Sequence, residues 1–142
     1  MDEGRFHIRI SVQPSDIDEH GHVNNIVYLR WVQEVASAHW RAVAPAVVRE
    51  FLFWVVVRHE IDYKRQAYLG DEIVAFTWVG TATRRTFERH TELVRATDRR
   101  VVARALTLWC PMDVKTGKPT DVGEEVRFLF STPGPPNQQS QT

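Results

Sequence analysis

The spacing of apolar residues changes twice along this chain and divides it into a strand, a helix and a series of further strands. Apolar residues occupy every second position over residues 5–12, which predicts a strand. After a polar loop that ends at His22, they recur at steps of three and four, which predicts a helix of about five turns. Pro45 ends this helix or begins a short second helix over residues 46–50. The helical stripe consists of Val27, Tyr28, Trp31, Val32, Val35 and Ala38.

The apolar spacing then returns to two residues and predicts four strands joined by short turns. On the first of these strands, alternation places Trp54, Val56 and Arg58 on one face and His59 on the other. Residues 124–130 are expected to form a last short helix or strand. Residues 131–142 are expected to form a disordered tail, which leaves one domain over residues 1–130. The four strands are expected over residues 53–65, 73–79, 86–96 and 101–110.

These elements define an architecture. Successive strands joined by short turns must be antiparallel, and one long amphipathic helix needs an apolar surface to cover. We therefore predict an α+β domain in which a curved antiparallel sheet wraps around a long central helix. Such a sheet leaves an exposed edge, which natural proteins cover or pair. Pairing of two copies through that edge is the simplest solution, so we expect a homodimer.

Composition narrows the class of protein. The chain has 18 basic and 18 acidic residues, and a balanced charge does not favour nucleic acid as a partner. Cys110 is the only cysteine, so no disulfide can form within the chain, as is typical of a reducing compartment. The N-terminal segment lacks an apolar signal core, and the longest apolar run, residues 51–57, is too short to cross a bilayer. We expect a cytoplasmic protein without membrane contact.

The residues before the helix carry a recognisable pattern. DIDEHGHVNNIVYLRWVQE, residues 16–34, resembles the opening motif of hot-dog-fold thioesterases, in particular the 4-hydroxybenzoyl-CoA thioesterase-like family. It is also similar to the corresponding segment of plant acyl-ACP thioesterases. RHEIDYKRQAYLGDEI, residues 58–73, and LTLWCPMDVKTGKP, residues 106–119, resemble later strands and turns of the family. The resemblance covers roughly residues 6–130.

The resemblance implies the hot-dog fold and assembly into dimers, often into dimers of dimers. It also implies that the chain hydrolyses acyl-CoA or acyl-ACP thioesters with water and needs no cofactor. It implies that Asp18 is the catalytic carboxylate and that the backbone N–H near Asn25 polarises the thioester carbonyl. The plant enzymes use two further residues, whose positions fall on His20 and His22. His22 matches the plant pattern, whereas His20 replaces an asparagine.

Physical chemistry gives a reason for this arrangement and leaves alternatives open. A helix N-terminus offers free N–H donors and about half a positive charge, which suits a developing oxyanion. A carboxylate in front of it can attack the carbonyl or deprotonate a water molecule, and His22 can orient that water or protonate the leaving thiolate.

The same residues also have structural alternatives. Asp18 can instead cap a turn, Asp16 is expected to stabilise the turn, and Asn24 or Asn25 can cap the helix. Asp18, His20 and His22 give only a weak zinc signal, so no metal is expected.

Further residues are expected to contact the substrate. Gly21 lets the backbone approach closely, and part of the stripe with Tyr28 and Trp31 is expected to wall the acyl pocket. Basic residues at turns, Arg65 among them, are either solvated or clamp the phosphates of CoA. The residues assigned to substrate binding are His20, Gly21, Asn24, Tyr28, Trp31, His59 and Arg65.

Three functions fit the sequence. The first is an acyl-CoA thioesterase, with Asp18, His22 and Asn25 as catalytic residues. The second is a hydratase or dehydratase on the same fold, and the third is a non-catalytic module that binds acyl thioesters. The sequence does not reveal the acyl group, because its five tryptophans and seven phenylalanines suit aromatic and aliphatic groups alike.

Overall fold

A computed structural model describes residues 4–131, and these residues form one sheet and three α-helices. The predicted order of a strand, a long helix and four strands is confirmed, and of the alternatives left open, the segment after Pro45 and the last segment are both helices. The predicted tail from residue 132 onwards lies outside the described residues, whereas Ser131 still belongs to the last helix. The elements are β1 (Phe6–Ser11), α1 (Asn25–Val43), α2 (Ala46–Phe51), β2 (Leu52–Tyr63), β3 (Glu72–Ala82), β4 (Phe87–Arg95), β5 (Val101–Asp113) and α3 (Glu124–Ser131).

The five strands form one antiparallel sheet in the order β1-β3-β4-β5-β2. Helix α1 packs on one face of it, which we call the inner face, and contacts β1, β3 and β4. The predicted α+β class, with an antiparallel sheet packed against a long helix, is confirmed. No α-helix within residues 4–131 is both long enough and apolar enough to span a membrane.

Helix α1 follows from its sequence. Asn24 precedes it with extended backbone, and its side-chain Oδ1 accepts the N–H of Ile26 at 3.1 Å, which confirms the predicted cap. The apolar stripe recurs at three- and four-residue steps, so one side of the helix is buried against the sheet. The buried residues are Val27, Tyr28, Trp31, Val32, Val35, Ala36 and His39.

The interior consists of two apolar clusters. The first surrounds the N-terminal half of α1 and includes Trp31, Ile73 and Leu93. The second lies under the C-terminal half, where Phe130 of α3 packs with Phe87 of β4 and partly buried side chains of α1, β2 and β5. Helix α3 therefore closes one end of the core.

The predicted faces of β2 are wrong beyond Val56. The pairing with β5 skips one residue between Val56 and Arg58, which is a β-bulge at Val57. A bulge adds one unpaired residue, so it reverses the alternation of side chains that follow it. Arg58 is therefore exposed, and the half-buried His59 lies on the inner face with Trp54 and Val56.

Strand β5 continues past Cys110, where the sequence predicts an end at Pro111. Pro111 pairs with Trp54 of β2, whereas the pairing of β5 with β4 ends at Trp109 and Phe87. Proline is tolerated in a strand at a position where no neighbouring strand needs the N–H that proline lacks. Beyond Trp109, β4 no longer pairs with β5, and the segment after the strand folds back there, with Pro119 bridged to Met112. The strand therefore accommodates Pro111 where its ladder with β4 has ended.

Candidate functional site

Asp18 opens a tight loop that ends at His22. Its N–H donates to the carbonyl of His22 at 2.8 Å, and its own carbonyl accepts the N–H of Gly21 at 3.1 Å. Its carboxylate Oδ1 accepts the N–H groups of His20, at 2.9 Å, and His22, at 3.3 Å. Gly21 has φ of +83°, a conformation that favours glycine. The backbone of this loop thus fixes the position of the carboxylate.

The Asp18 carboxylate is ionised and keeps one oxygen uncommitted. Loss of solvent raises its pKa, but the N–H groups of His20 and His22 outweigh that effect, and the pKa lies below its ordinary value. Oδ1 makes both hydrogen bonds, and Oδ2 has no hydrogen-bond partner among residues 4–131. One oxygen therefore stabilises the loop while the other is available to a substrate or a water molecule.

Asp16 is buried and stabilises the loop before α1. It is 2% exposed, and its carboxylate accepts the N–H of Gln13 at 2.9 Å and Nη2 of Arg30 at 2.8 Å. Its carbonyl also accepts the N–H of Asn24 at 2.9 Å. Asp16 therefore ties the loop to the first turns of α1, as expected for a turn-stabilising residue.

The N-terminus of α1 presents a free donor. The N–H of Ile26 donates to the Asn24 side chain, and the N–H of Val27 donates to the Asn24 carbonyl at 2.9 Å. The N–H of Asn25 has no acceptor among residues 4–131, as is typical of the first residues of a helix. This group is the one expected from the sequence to polarise the thioester carbonyl.

The two loop histidines differ in their surroundings. His22 is half-buried, and its ring packs edge-on against Tyr68 with the ring centres 5.5 Å apart. The exposed His20 has its Nε2 3.8 Å from the carboxylate of Glu19. His22 thus has a fixed ring next to the Asp18 loop, whereas His20 contributes mainly its backbone N–H.

A small pocket lies beside the helix N-terminus and brings together three of the predicted residues, Asn25, Tyr28 and Arg65. The Arg65 side chain crosses to the carbonyl of Val101 at 2.7 Å, and the Tyr63 hydroxyl donates to the carbonyl of Asn25 at 3.3 Å. The loop residues that precede Asn25 do not line it. Its walls are Asn25, Tyr28, Tyr63, Lys64, Arg65 and Gln66.

Other predicted contact residues belong to the interior. Trp31 is fully buried in the first cluster. The Tyr28 hydroxyl accepts the N–H of Ala67 at 3.0 Å, so it holds the segment after β2 against α1. His59 lies away from the small pocket, with Nδ1 3.0 Å from the Thr107 hydroxyl, and burial lowers its pKa.

A second cavity contains polar residues that were given no role from the sequence. It lies under the C-terminal half of α1, and Arg89 of β4 is buried in its wall. The alternation of β4 could have revealed this arginine, because Arg89 shares a strand face with the buried Phe87 and Thr91. The cavity is lined by Ala36, Ser37, Trp40, Trp54, Phe87, Arg89 and Trp109. Within residues 4–131, no three His, Cys, Asp or Glu side chains are grouped to hold a metal ion.

Comparison with known proteins gives the family. The model of the thioesterase-like superfamily matches residues 12–129, and the chain belongs to that superfamily. An acyl-[acyl-carrier-protein] hydrolase from the chloroplast of Cuphea viscosissima is 28% identical over 83 residues, which are 58% of this chain and 20% of that protein. The chain therefore spans about a fifth of the length of this curated relative.

Solved structures agree on the fold. A thioesterase from Thermus thermophilus, crystallised with coenzyme A and Zn, has a TM-score of 0.76 at 22% identity and covers 91% of this chain and 93% of its own. A 1,4-dihydroxy-2-naphthoyl-CoA thioesterase from Synechocystis has a TM-score of 0.75 at 18% identity, with 89% and 95% covered. The resemblance stated from the motif is thereby confirmed at the level of family and fold.

Proposed function

We propose that this chain hydrolyses acyl thioesters and that Asp18 supplies the reacting carboxylate. The observation that carries the proposal is an ionised side chain with one uncommitted oxygen, held by the loop that leads into α1, together with the free N–H of Asn25. Membership of the thioesterase-like superfamily supports it, as do the thioesterase names of the relatives.

The chemistry follows from those two groups. The N–H of Asn25 binds the carbonyl oxygen and stabilises the negative charge that develops on it, a contact typically worth about 2.7–4 kcal/mol in the transition state. Asp18 Oδ2 either attacks the carbonyl carbon, which gives an anhydride that water then opens, or removes a proton from the attacking water. Both routes expel the thiolate of the carrier and leave a free acid. His22, next to the loop, is placed to orient the water.

The carrier is proposed to be coenzyme A, with acyl carrier protein as the alternative. One similar structure contains coenzyme A and another is an acyl-CoA thioesterase, whereas the Cuphea relative is an acyl-[acyl-carrier-protein] hydrolase. The exposed Arg65 and Lys64 at the small pocket provide positive charge for phosphate groups.

We also propose that the chain works as a dimer, or as a dimer of dimers. Strand β2 is at the end of the sheet and pairs only with β5 among the described residues. Phe53, Val55 and Val57 on this strand are 42%, 39% and 62% exposed. An apolar edge strand of this length favours association, and two such edges can pair antiparallel.

Release of free thiol from a panel of acyl-CoA thioesters tests the function. The panel includes short, medium, long and aryl acyl groups, and an enoyl thioester whose absorbance is followed separately. We expect thiol release in proportion to the acid formed. Loss of enoyl absorbance without thiol would instead identify a hydratase, and stabilisation against heat without either reaction would identify a binding module.

A further inference from the structure

Arg89 is a buried cation that pairs with no carboxylate in the described part of the chain. It is 5% exposed, and its Nη1 donates to Nδ1 of His39 at 2.9 Å and to the Thr77 hydroxyl at 3.1 Å. Burial lowers the pKa of Arg89 to about 10, and burial together with Arg89 lowers the pKa of His39 to about 3, so near neutral pH the arginine is charged and the histidine is not. No Asp or Glu among residues 4–131 forms an ion pair with Arg89. A buried charge without a counter-charge is strongly unfavourable.

The free edge of this guanidinium has the geometry that holds a carboxylate. Both hydrogen bonds of Arg89 use Nη1, and its Nε and Nη2 have no partner within residues 4–131. Arg9 of the same protein uses this pair of atoms to grip Glu72, with Nε at 3.2 Å and Nη2 at 2.8 Å from the two carboxylate oxygens. Such two-point contacts are the preferred way in which arginine binds carboxylates. Arg89 therefore offers an unused site of the kind that Arg9 fills.

The cavity beside Arg89 has aromatic walls and few polar groups. Its walls are formed mainly by Trp40, Trp54, Phe87 and Trp109, with Ser37 as a second polar residue beside Arg89. The cavity has a volume of about 50 Å³, room for a few water molecules or one small group. Arg89 is the charged residue of this lining, so an occupant that satisfies its free Nε and Nη2 must bring acceptors.

We propose that the Arg89 cavity binds a carboxylate at the far end of the acyl group, so that the chain prefers thioesters of dicarboxylic acids. This rests on the proposed thioesterase function. Ser37 at the cavity lies twelve positions after Asn25 on α1, which is about 18 Å of helix. The preference is therefore expected for long ω-carboxyacyl groups and not for short ones.

A binding titration tests the cavity without any turnover. Decanoate and decanol share one chain and differ in the head group, and the tryptophans that line the cavity report binding by fluorescence. We expect decanoate to bind at least about tenfold more tightly than decanol, the effect of a charge-assisted hydrogen bond. Arg89→Met removes that difference, and the control Arg104→Met, an exposed arginine paired with Glu92 on the neighbouring strand, retains it.

Two results would overturn the cavity proposal. Equal binding of decanoate and decanol by the unmodified chain would show that ordered water alone satisfies the donors. An unchanged preference for decanoate in Arg89→Met would place the carboxylate elsewhere. Should Arg89→Met fail to fold, Arg89→Lys keeps a positive charge and removes the paired Nε and Nη2 donors. It is expected to weaken decanoate binding several-fold, and unchanged binding would contradict the proposal.

Hydrolysis supplies the second measurement. The ratio of kcat/KM for an ω-carboxyacyl-CoA to kcat/KM for the unsubstituted acyl-CoA of equal length is expected to exceed about ten for long chains. It should fall to near one in Arg89→Met and persist in Arg104→Met. A ratio near one at every length in the unmodified chain contradicts the proposal. Absence of all hydrolysis contradicts the thioesterase function instead, and the decanoate titration still decides whether the cavity binds carboxylates.

Discussion

Asp16 and Asp18 stand two positions apart and have different surroundings. Asp16 is buried and paired with Arg30, so its charge serves the fold. Asp18 is partly exposed, and only one of its oxygens is used by the loop. Of the two carboxylates, only Asp18 is therefore open to a substrate.

A substitution of Asp18 separates its proposed role in hydrolysis from its role in holding the loop. Asparagine keeps an oxygen that accepts the N–H groups of His20 and His22, so Asp18→Asn preserves the loop and removes the charge. We expect kcat/KM for acyl-CoA hydrolysis to fall by about 10²–10⁴, the usual contribution of a general base. The thermal midpoint of unfolding should change little.

The residues of the candidate site were partly readable from the sequence. A glycine and an asparagine in one short stretch before a helical pattern predicted the loop and the helix cap at Asn24, since these features are local, whereas the roles of Asp18 and Gly21 towards a substrate stay predictions. The alternation of β4 places Arg89 on the buried face, but its partners, His39, which is 50 positions away, and Thr77 on the adjacent strand β3, were not predictable. Contacts of this kind leave no trace in local spacing.

The predicted boundaries and inward faces of the strands are wrong where pairing with a neighbouring strand determines them. The bulge at Val57 reverses the faces of β2, yet nothing in the run of apolar residues marks it. Pro111 usually ends a strand, but β5 continues because β4 has already stopped pairing with it. Periodicity therefore predicted the five strands and the long helix and left the two short helices open, whereas tertiary pairing set the limits and the inward faces of the strands.

The contact of α1 with β4 through His39 makes stability depend on pH. His39 is buried between Phe6, Phe130 and Arg89, and its pKa is lowered from 6.5 to about 3. Below pH 6.5 the unfolded chain binds a proton that the folded chain excludes, so stability is lost as pH falls towards 3. We expect the free energy of unfolding to fall by up to about 1.4 kcal/mol per pH unit in this window. Urea unfolding at several pH values measures it.

Matched histidine variants isolate that effect. His39→Gln cannot titrate and can still accept the N–H of Arg89, so the pH slope should become clearly smaller. His20→Gln, at an exposed position, should keep the slope of the unmodified chain. Equal slopes for all three proteins would show that His39 is not the responsible group.

At the scale of the whole molecule, the sheet edge is expected to set the oligomeric state. Charged residues on an edge strand oppose pairing with another chain, so Val57→Lys should shift the dimer towards monomers in sedimentation velocity. The control Leu129→Lys adds the same charge to α3, at a residue that is 41% exposed, and should leave the mass unchanged. A monomeric unmodified chain, or a Val57→Lys dimer of unchanged stability, would refute pairing through β2.

The fold as a whole was predictable and the substrate was not. One amphipathic helix among antiparallel strands has few ways to bury its apolar stripe, so the pattern leads to a sheet on one side of it. The cavity that is proposed to select the acyl group lies between α1 and the sheet, and its walls come from four different elements. Its shape and free donors exist only once the chain is folded.

The role of Asp18 as the reacting carboxylate is tested most directly by comparing Asp18→Asn with Glu19→Gln on the acyl-CoA that the unmodified chain hydrolyses best. The two neighbouring variants lose the same charge, but Glu19 is exposed and is not part of the proposed mechanism. We predict that kcat/KM falls by about 10²–10⁴ in Asp18→Asn and stays near the unmodified value in Glu19→Gln. A folded Asp18→Asn chain with unchanged hydrolysis would contradict the account.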